Sequence, residues 1–329
     1  MSTLAHDAPR VVTLSRTTSG LGFALLASLS FGLSGSLARS LLDIGWSAGA
    51  ATLVRVTIGS IALAVPGLMA LRGQWRMLRA ALPVVLVYGL FAVAGAQLCY
   101  FMAVGHLDVS IALLIEYTAP VAVVMWMWFR HGHRPTRLTV AGAAVAAAGL
   151  LLLLDVLGGG RISLVGVAWA LAAMIGAAVY FVVGADESIG LPPLTLAATG
   201  LVVAVVVLGI AGVVGIVPMH ATAGDVTLAG YQLPWWIATL GLGIITAAVA
   251  YTTGIAATRR LGARLGSFVA LTEVLAATIF AWALLGQAPH AVQYAGAALV
   301  LAGVIAVKLG EPKEGATIEP AQPVEPVPA

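Results

Sequence analysis

The chain has 329 residues, of which 61% are hydrophobic and 9% charged, with a mean hydropathy of +1.05. A soluble domain carries roughly 25% charged residues, so the composition excludes a soluble enzyme and points to a polytopic membrane protein. The net charge of +3 does not signal nucleic acid, because the basic residues lie in short loops between apolar runs, where they anchor topology.

Residues 1–19 carry Arg10 and Arg16 without a cleavable apolar segment, and are expected to be a disordered cytoplasmic tail. Ten apolar runs follow, at 20–38, 47–71, 81–103, 109–129, 137–156, 164–185, 192–217, 234–257, 264–285 and 291–309. Each is long enough to cross hydrocarbon, which takes about 20 helical residues. Backbone groups in lipid must bond internally, and the strict alternation of a barrel strand is absent, so the runs are read as helices. Glycines punctuate their ends, among them Gly45, Gly73, Gly132, Gly262 and Gly286.

Ionisable residues inside these runs are few, and a charge there normally faces protein or a water-filled cavity. Arg55 lies about 12 Å into the second run, from a rise of about 1.5 Å per residue. Glu116 lies about 10 Å into the fourth run by the same rise. The two are candidates for an ion pair, structural or functional; the alternative is an Arg55 that reaches back to the surface. In the third run, Gln97 and Tyr100 are candidate cavity residues, and the lone Cys99 is a packing residue. Tyr117 and Thr118 follow Glu116, and Pro120 is expected to kink the fourth helix and open a polar pocket beside it. Tyr180 and, in the eighth run, Tyr251 are further cavity candidates, since an aromatic wall with a polar tip suits a binding site. Glu273 lies mid-span in the ninth run without an obvious cationic partner, which makes it a candidate proton carrier; the bland alternative is a carboxyl bonded to a neighbouring helix, with Thr272 one candidate partner. The glycine run 158–160 has no P-loop lysine after it, and His131 and His133 lack further metal ligands. Residues 310–329 are rich in Pro and Glu and are expected to be a second disordered cytoplasmic tail.

The chain also repeats itself. A shift of 154 positions places Thr118, Trp128, Gly132 and Pro135 on Thr272, Trp282, Gly286 and Pro289, and Gly142 and Gly149 on Gly296 and Gly303. The charges do not follow the shift: Arg130, Arg134 and Arg137 fall on Leu284, Ala288 and Ala291. With the N-terminus in the cytoplasm, thirteen of the sixteen Lys and Arg residues fall inside and only Arg39 and Arg161 outside, Arg55 being within a span. The expected fold is therefore an all-α membrane protein of ten transmembrane helices, as two inverted five-helix repeats at 20–156 and 164–309, both termini cytoplasmic. Inverted repeats are characteristic of secondary transporters, with the substrate site between the halves. Small residues on the fifth and tenth helices (Gly142, Ala146, Gly149; Gly296, Gly303) mark packing or a homodimer contact.

These features resemble the EamA group of the drug/metabolite transporter superfamily, over essentially residues 20–309. Within the group they are most similar to threonine and homoserine exporters. The likeness rests on Leu37-Ala38-Arg39-Ser40-Leu41, Arg55, Ile111-Ala112 with Glu116-Tyr117-Thr118-Ala119-Pro120, Thr272-Glu273, and Leu284-Leu285-Gly286. The chain departs from the family pattern at Val274, where proline is usual, and at Gln287, where glutamate is frequent. The resemblance implies a multi-pass plasma (inner) membrane protein, not an enzyme, that exports small metabolites such as amino acids by alternating access, without a metal or organic cofactor and with proton exchange as a candidate coupling. Its partners would be a small-molecule substrate and the lipid bilayer, not nucleic acid. The cavity would lie between helices 1–4 and 6–9, with Arg55 orienting a substrate carboxylate. An uncoupled facilitator and a non-transporting scaffold are the alternatives.

Overall fold

The computed structural model describes residues 8–73, 75–104, 106, 112, 115–132, 135–153, 163–286 and 291–310. The glycine run 158–160, Ile111, His133, Arg134, Arg161, Gln287, Ala288, Pro289 and the segments 1–7 and 311–329 lie outside the described residues. Helices dominate: α1 Ala8–Asp43, α2 Ala48–Ala70, α3 Trp75–Val87, α4 Ala96–Val104, α5 Ala119–His131, α6 Arg137–Leu153, α7 Leu164–Ala185, α8 Pro193–Val213, α9 Trp235–Gly243, α10 Ala250–Val269, α11 Thr272–Leu285 and α12 Ala291–Gly310. A π-helical stretch, Tyr88–Gly95, joins α3 to α4, and another, Ile244–Val249, joins α9 to α10. Among the described residues, six helical segments are long and apolar enough to cross a membrane, and four shorter apolar helices accompany them.

α1 begins at Ala8, so residues 8–19, expected to lack structure, instead extend the first helix. Pro9 suits a first turn, where its missing N–H costs nothing, and no breaker follows before Gly20. The longest candidate span, Trp235–Val269, is in fact folded back. Gly262 is non-helical (φ 77°, ψ 164°), and a Cβ on Gly266 would lie 3.1 Å from Cγ2 of Thr258. Eight residues of straight helix would separate those positions by about 12 Å.

The internal repeat is visible in the backbone. The left-handed glycine caps Gly132 and Gly286 (each φ 70°) are 154 positions apart, as are the starts of α6 and α12 and the ends of the two π-helical stretches. α2 and α8 match at 145 positions instead. The offset changes in the connection after α8, which carries a hairpin of β1 (Asp225–Leu228) and β2 (Tyr231–Pro234) paired antiparallel. The equivalent helices α6 and α12 pack antiparallel. A Cβ on Gly142 would meet Gly303 O and Val307 N at 2.8 Å, one on Gly149 would meet Val300 N at 2.6 Å, and the Thr136 hydroxyl donates to Gly310 O at 3.0 Å. Two copies of one helix running in opposite senses are what an inverted repeat requires. The small residues expected to mark packing or a dimer contact are spent on this internal pair, which among the described residues has no other extensive neighbour.

The two ends differ. At one, Leu37, Leu41, Trp46, Phe101 and Leu242 cluster with Val226 and Leu228 of the hairpin, and Ala229 N donates to Leu284 O at 2.7 Å. At the other, Arg16 pairs with Glu187 and donates to Arg259 O, Arg259 donates to Leu191 O, and the Arg260 guanidinium sits 4.6 Å from the Phe23 ring centroid.

Candidate functional site

A cavity opens between α1, the first π-helical stretch with α4, α5, α7, α10 and α11. α1 presents Ala24, Ala27, Ser28 and Phe31, a helical i, i+3, i+4, i+7 stripe whose small members leave the space. Neither α2 nor α8 lines it; they pack on each other behind it, which corrects the expectation that both would form its wall.

The polar chemistry gathers where two equivalent helices are interrupted. The fourth span breaks at Tyr117–Thr118, just before α5, and the ninth at Ala270–Leu271, just before α11. Pro120 does not kink a continuous helix but occupies the first turn of α5, where its lost donor is harmless. Val274 stands at the equivalent position and the break occurs there too, so proline is not its cause. Glu116 precedes one break and Glu273 follows the other, and both carboxyls face the cavity. Tyr117 lines the cavity close to the Glu273 carboxyl. Thr272 does not: its hydroxyl donates to Val269 O at 2.7 Å.

An aromatic box faces these carboxyls. The Phe31 ring meets Tyr251 edge-on at 5.1 Å and Tyr180 at 6.2 Å, and Tyr180 meets Tyr251 at 5.8 Å. The buried Tyr180 hydroxyl has no hydrogen-bond partner among the described residues. Gly254 backs it so closely that a Cβ there would overlap the Tyr180 oxygen.

Arg55 is 1% exposed and lies behind the cavity wall. It does not pair with Glu116, which corrects that expectation. One guanidinium nitrogen donates to Ser34 Oγ at 3.0 Å and Gln97 Oε1 at 2.5 Å, the other to Thr246 O at 2.5 Å. The reason is steric and local: α2 delivers the side chain between α1, α4 and the second π-helical stretch, whose acceptors are nearer than any carboxylate. Nor does it line the cavity, where orienting a substrate carboxylate would place it.

Of the residues singled out from sequence, Gln97, Glu116, Tyr117, Pro120, Tyr180, Tyr251 and Glu273 meet at the cavity. Arg55 is joined to it through Gln97, while Tyr100, Thr118 and Thr272 do not line it; Tyr100 packs against Phe101, and Thr118 is exposed and bonded to Ile115 O. Phe31, Phe181 and Gly254 were missed. The stripe on α1 was the available signal for Phe31.

The EamA-like transporter family model matches residues 18–155 and again 164–309. The chain belongs to the EamA-like transporter family. Its two matched segments are the two structural repeats, so the chain is an all-α membrane transporter built from two copies of one unit. It is similar to the threonine/homoserine exporter RhtA of Salmonella typhimurium, in strains SL1344 and LT2, at 28% identity over 295 residues, covering 87% of this chain and 88% of each relative. A solved crystal structure 22% identical in sequence superposes with a TM-score of 0.68, covering 90% of this chain and 98% of that one, and supports the fold. The chain is accordingly a membrane transporter.

Proposed function

We propose that the transported metabolites are amino acids or related compounds with an ammonium group, carried across the plasma (inner) membrane by alternating access between the halves, in exchange for protons. The reading takes ten crossings with both termini cytoplasmic, the side that the arginine-rich connections favour. The observation that carries it is the meeting of Glu116 and Glu273 with Tyr117 at two equivalent helix breaks inside one cavity. Two carboxyls and an aromatic box suit an ammonium group, by charge and by cation–π attraction. The unpartnered Tyr180 hydroxyl, a buried donor, suits the substrate carboxylate. Glu273 is the residue that exchanges the proton, and the nearby Tyr117 hydroxyl orients its carboxyl toward the cavity. The relatives named for threonine and homoserine export supply the first substrates to try.

Labelled L-threonine and L-homoserine counterflow in proteoliposomes tests the reading. Exchange by the wild type, with a loss of tenfold or more in Glu273→Gln, is expected. Exchange that ignores both Glu273→Gln and an imposed pH step would make the protein an uncoupled facilitator, and no exchange of either compound would remove the amino-acid assignment.

A further inference from the structure

Among the described residues Arg55 is one of the largest fully buried side chains, yet it neither lines the cavity nor pairs with a carboxylate there. Its three bonds join three elements: Ser34 on α1, Gln97 on α4, and the Thr246 carbonyl in the second π-helical stretch. The first two elements belong to its own half and the third to the other. Gln97 itself lines the cavity, as does Tyr251. A polar link therefore runs from the cavity, through Gln97, to a guanidinium that grips the opposite half.

The other half lacks this grip. Gly243, just before the second π-helical stretch, abuts the backbone of α2, where its Cβ would lie 3.3 Å from Arg55 O. Its repeat equivalent Gly89 abuts α8, where a Cβ would lie 2.9 Å from Gly200 O. Gly200 thus stands where Arg55 stands, with no side chain, and the Tyr88 ring closes over it: a Cβ on Gly200 would lie 2.8 Å from that ring. Gln97 corresponds to Tyr251 and Thr246 to Ala92 under the shift of 154. One π-helical stretch is pinned by a charged fork; among the described residues its twin shows no such fork and is held by close packing. π-Helical bulges mark functional sites because a misregistered turn can shift its hydrogen bonds at little cost.

We propose that Arg55 is a positioning residue, a clasp that fixes the Ile244–Val249 stretch to α2 and reports cavity occupancy to it through Gln97, and that this stretch is the hinge of the transport cycle on one side only. The inference rests on the export reading for its kinetic arm, but not for its structural arm. Guanidinium is the suitable group, since its planar fork serves acceptors on two sides at once, as an ammonium cannot.

The test uses the full-length protein in lipid nanodiscs and proteoliposomes. Arg55→Met removes an intramembrane charge at similar length, which favours insertion. Amide hydrogen exchange in residues 244–249 is expected to quicken tenfold or more, while residues 88–95, the unpinned twin, change less than twofold. Arg55→Lys, which keeps the charge but cannot bridge both sides, is expected to give an intermediate rise and decides the matter should Arg55→Met yield no folded protein. In L-threonine counterflow, Arg55→Met should lower the maximal rate tenfold or more and move the half-saturation concentration less than threefold. Unchanged protection at 244–249 in the folded variants, or equal loosening of both stretches, overturns the clasp. So does a half-saturation concentration raised tenfold with protection intact, which would make Arg55 a substrate ligand. If the wild type moves no amino acid, the export reading fails and the exchange comparison still judges the clasp.

Discussion

Gly303→Ala tests the antiparallel pairing of the two repeat-equivalent helices. A methyl group there would lie 2.5 Å from Ala146 N, 2.6 Å from Ala146 Cβ and 2.6 Å from Gly142 O, against ordinary contact at 3.4–4 Å. All three neighbours are backbone or the first side-chain atom, so no rotamer change relieves the clash and α6 and α12 must part by about 1 Å. Overpacking of this kind costs about 1–3 kcal/mol, and alanine's better helix propensity returns about 0.5–1 kcal/mol. A net loss of about 1–2 kcal/mol follows. Lipid replaces the lost helix contact with another apolar surface, so the loss is one of close packing and not of burial. Denaturation followed by tryptophan fluorescence would measure it, with Gly209→Ala and Gly22→Ala as controls, since a Cβ at either position meets nothing within 4 Å. The controls should unfold with the wild type or slightly later. In a Cys99→Ser background, Thr136→Cys with Gly310→Cys should cross-link, and Thr136→Cys with Ala291→Cys should not. Wild-type stability for Gly303→Ala, or the reverse cross-linking pattern, would refute the pairing and with it the inverted relation of the halves.

Gly254→Ala pushes the Tyr180 hydroxyl into the cavity. Counterflow should fall at least tenfold while the unfolding midpoint drops little; the reverse would place Tyr180 in packing alone. Tyr117→Phe removes the hydroxyl beside Glu273 and should lower counterflow roughly tenfold, the scale of one polar contact to a charged group. A wild-type rate would show that this hydroxyl does not position the carboxyl. Ala229 is a non-glycine residue at φ 53° in the exposed turn of the hairpin, so Ala229→Gly should stabilise the protein by about 1 kcal/mol at most, read by the same denaturation assay. A loss of stability would mean that the turn is not the strained element.

The repeat, the helical class and the intramembrane carboxyls were all legible in the sequence, for physical reasons. Lipid forces apolar helices of a fixed length, and a charge inside one is costly enough to stand out. What stayed hidden was relational. Arg55 and Glu116 lie at similar depths, and depth is all that counting residues supplies. Which direction each side chain faces depends on how α2 packs against α4 and the second π-helical stretch, and the nearest acceptors there are an amide and a backbone carbonyl. A carbonyl acceptor leaves no trace in side-chain composition. The π-helical stretches were illegible for a related reason: each comprises residues that would serve equally well in an α-helix, and tertiary packing sets the extra residue. Phe31 is a milder case, since its stripe of Ala24, Ala27 and Ser28 could as well have been an ordinary helix contact.

The site is not the symmetric product of a symmetric fold. Under the shift of 154, Glu116 corresponds to Ala270 and Glu273 to Ala119, all four at the cavity wall. Each half offers one carboxyl and one alanine at its helix break, but with the two residues exchanged across the break. The carboxyls therefore cannot be swapped by the operation that relates the halves. Exchange of the inward and outward states by an inverted repeat requires only that the scaffold be pseudo-symmetric, whereas two states that hold substrate unequally require an asymmetric site. Antiparallel α6 and α12 supply the first condition. Glu116 before one break, Glu273 with Tyr117 after the other, and a guanidinium on one π-helical stretch facing a glycine at its twin supply the second.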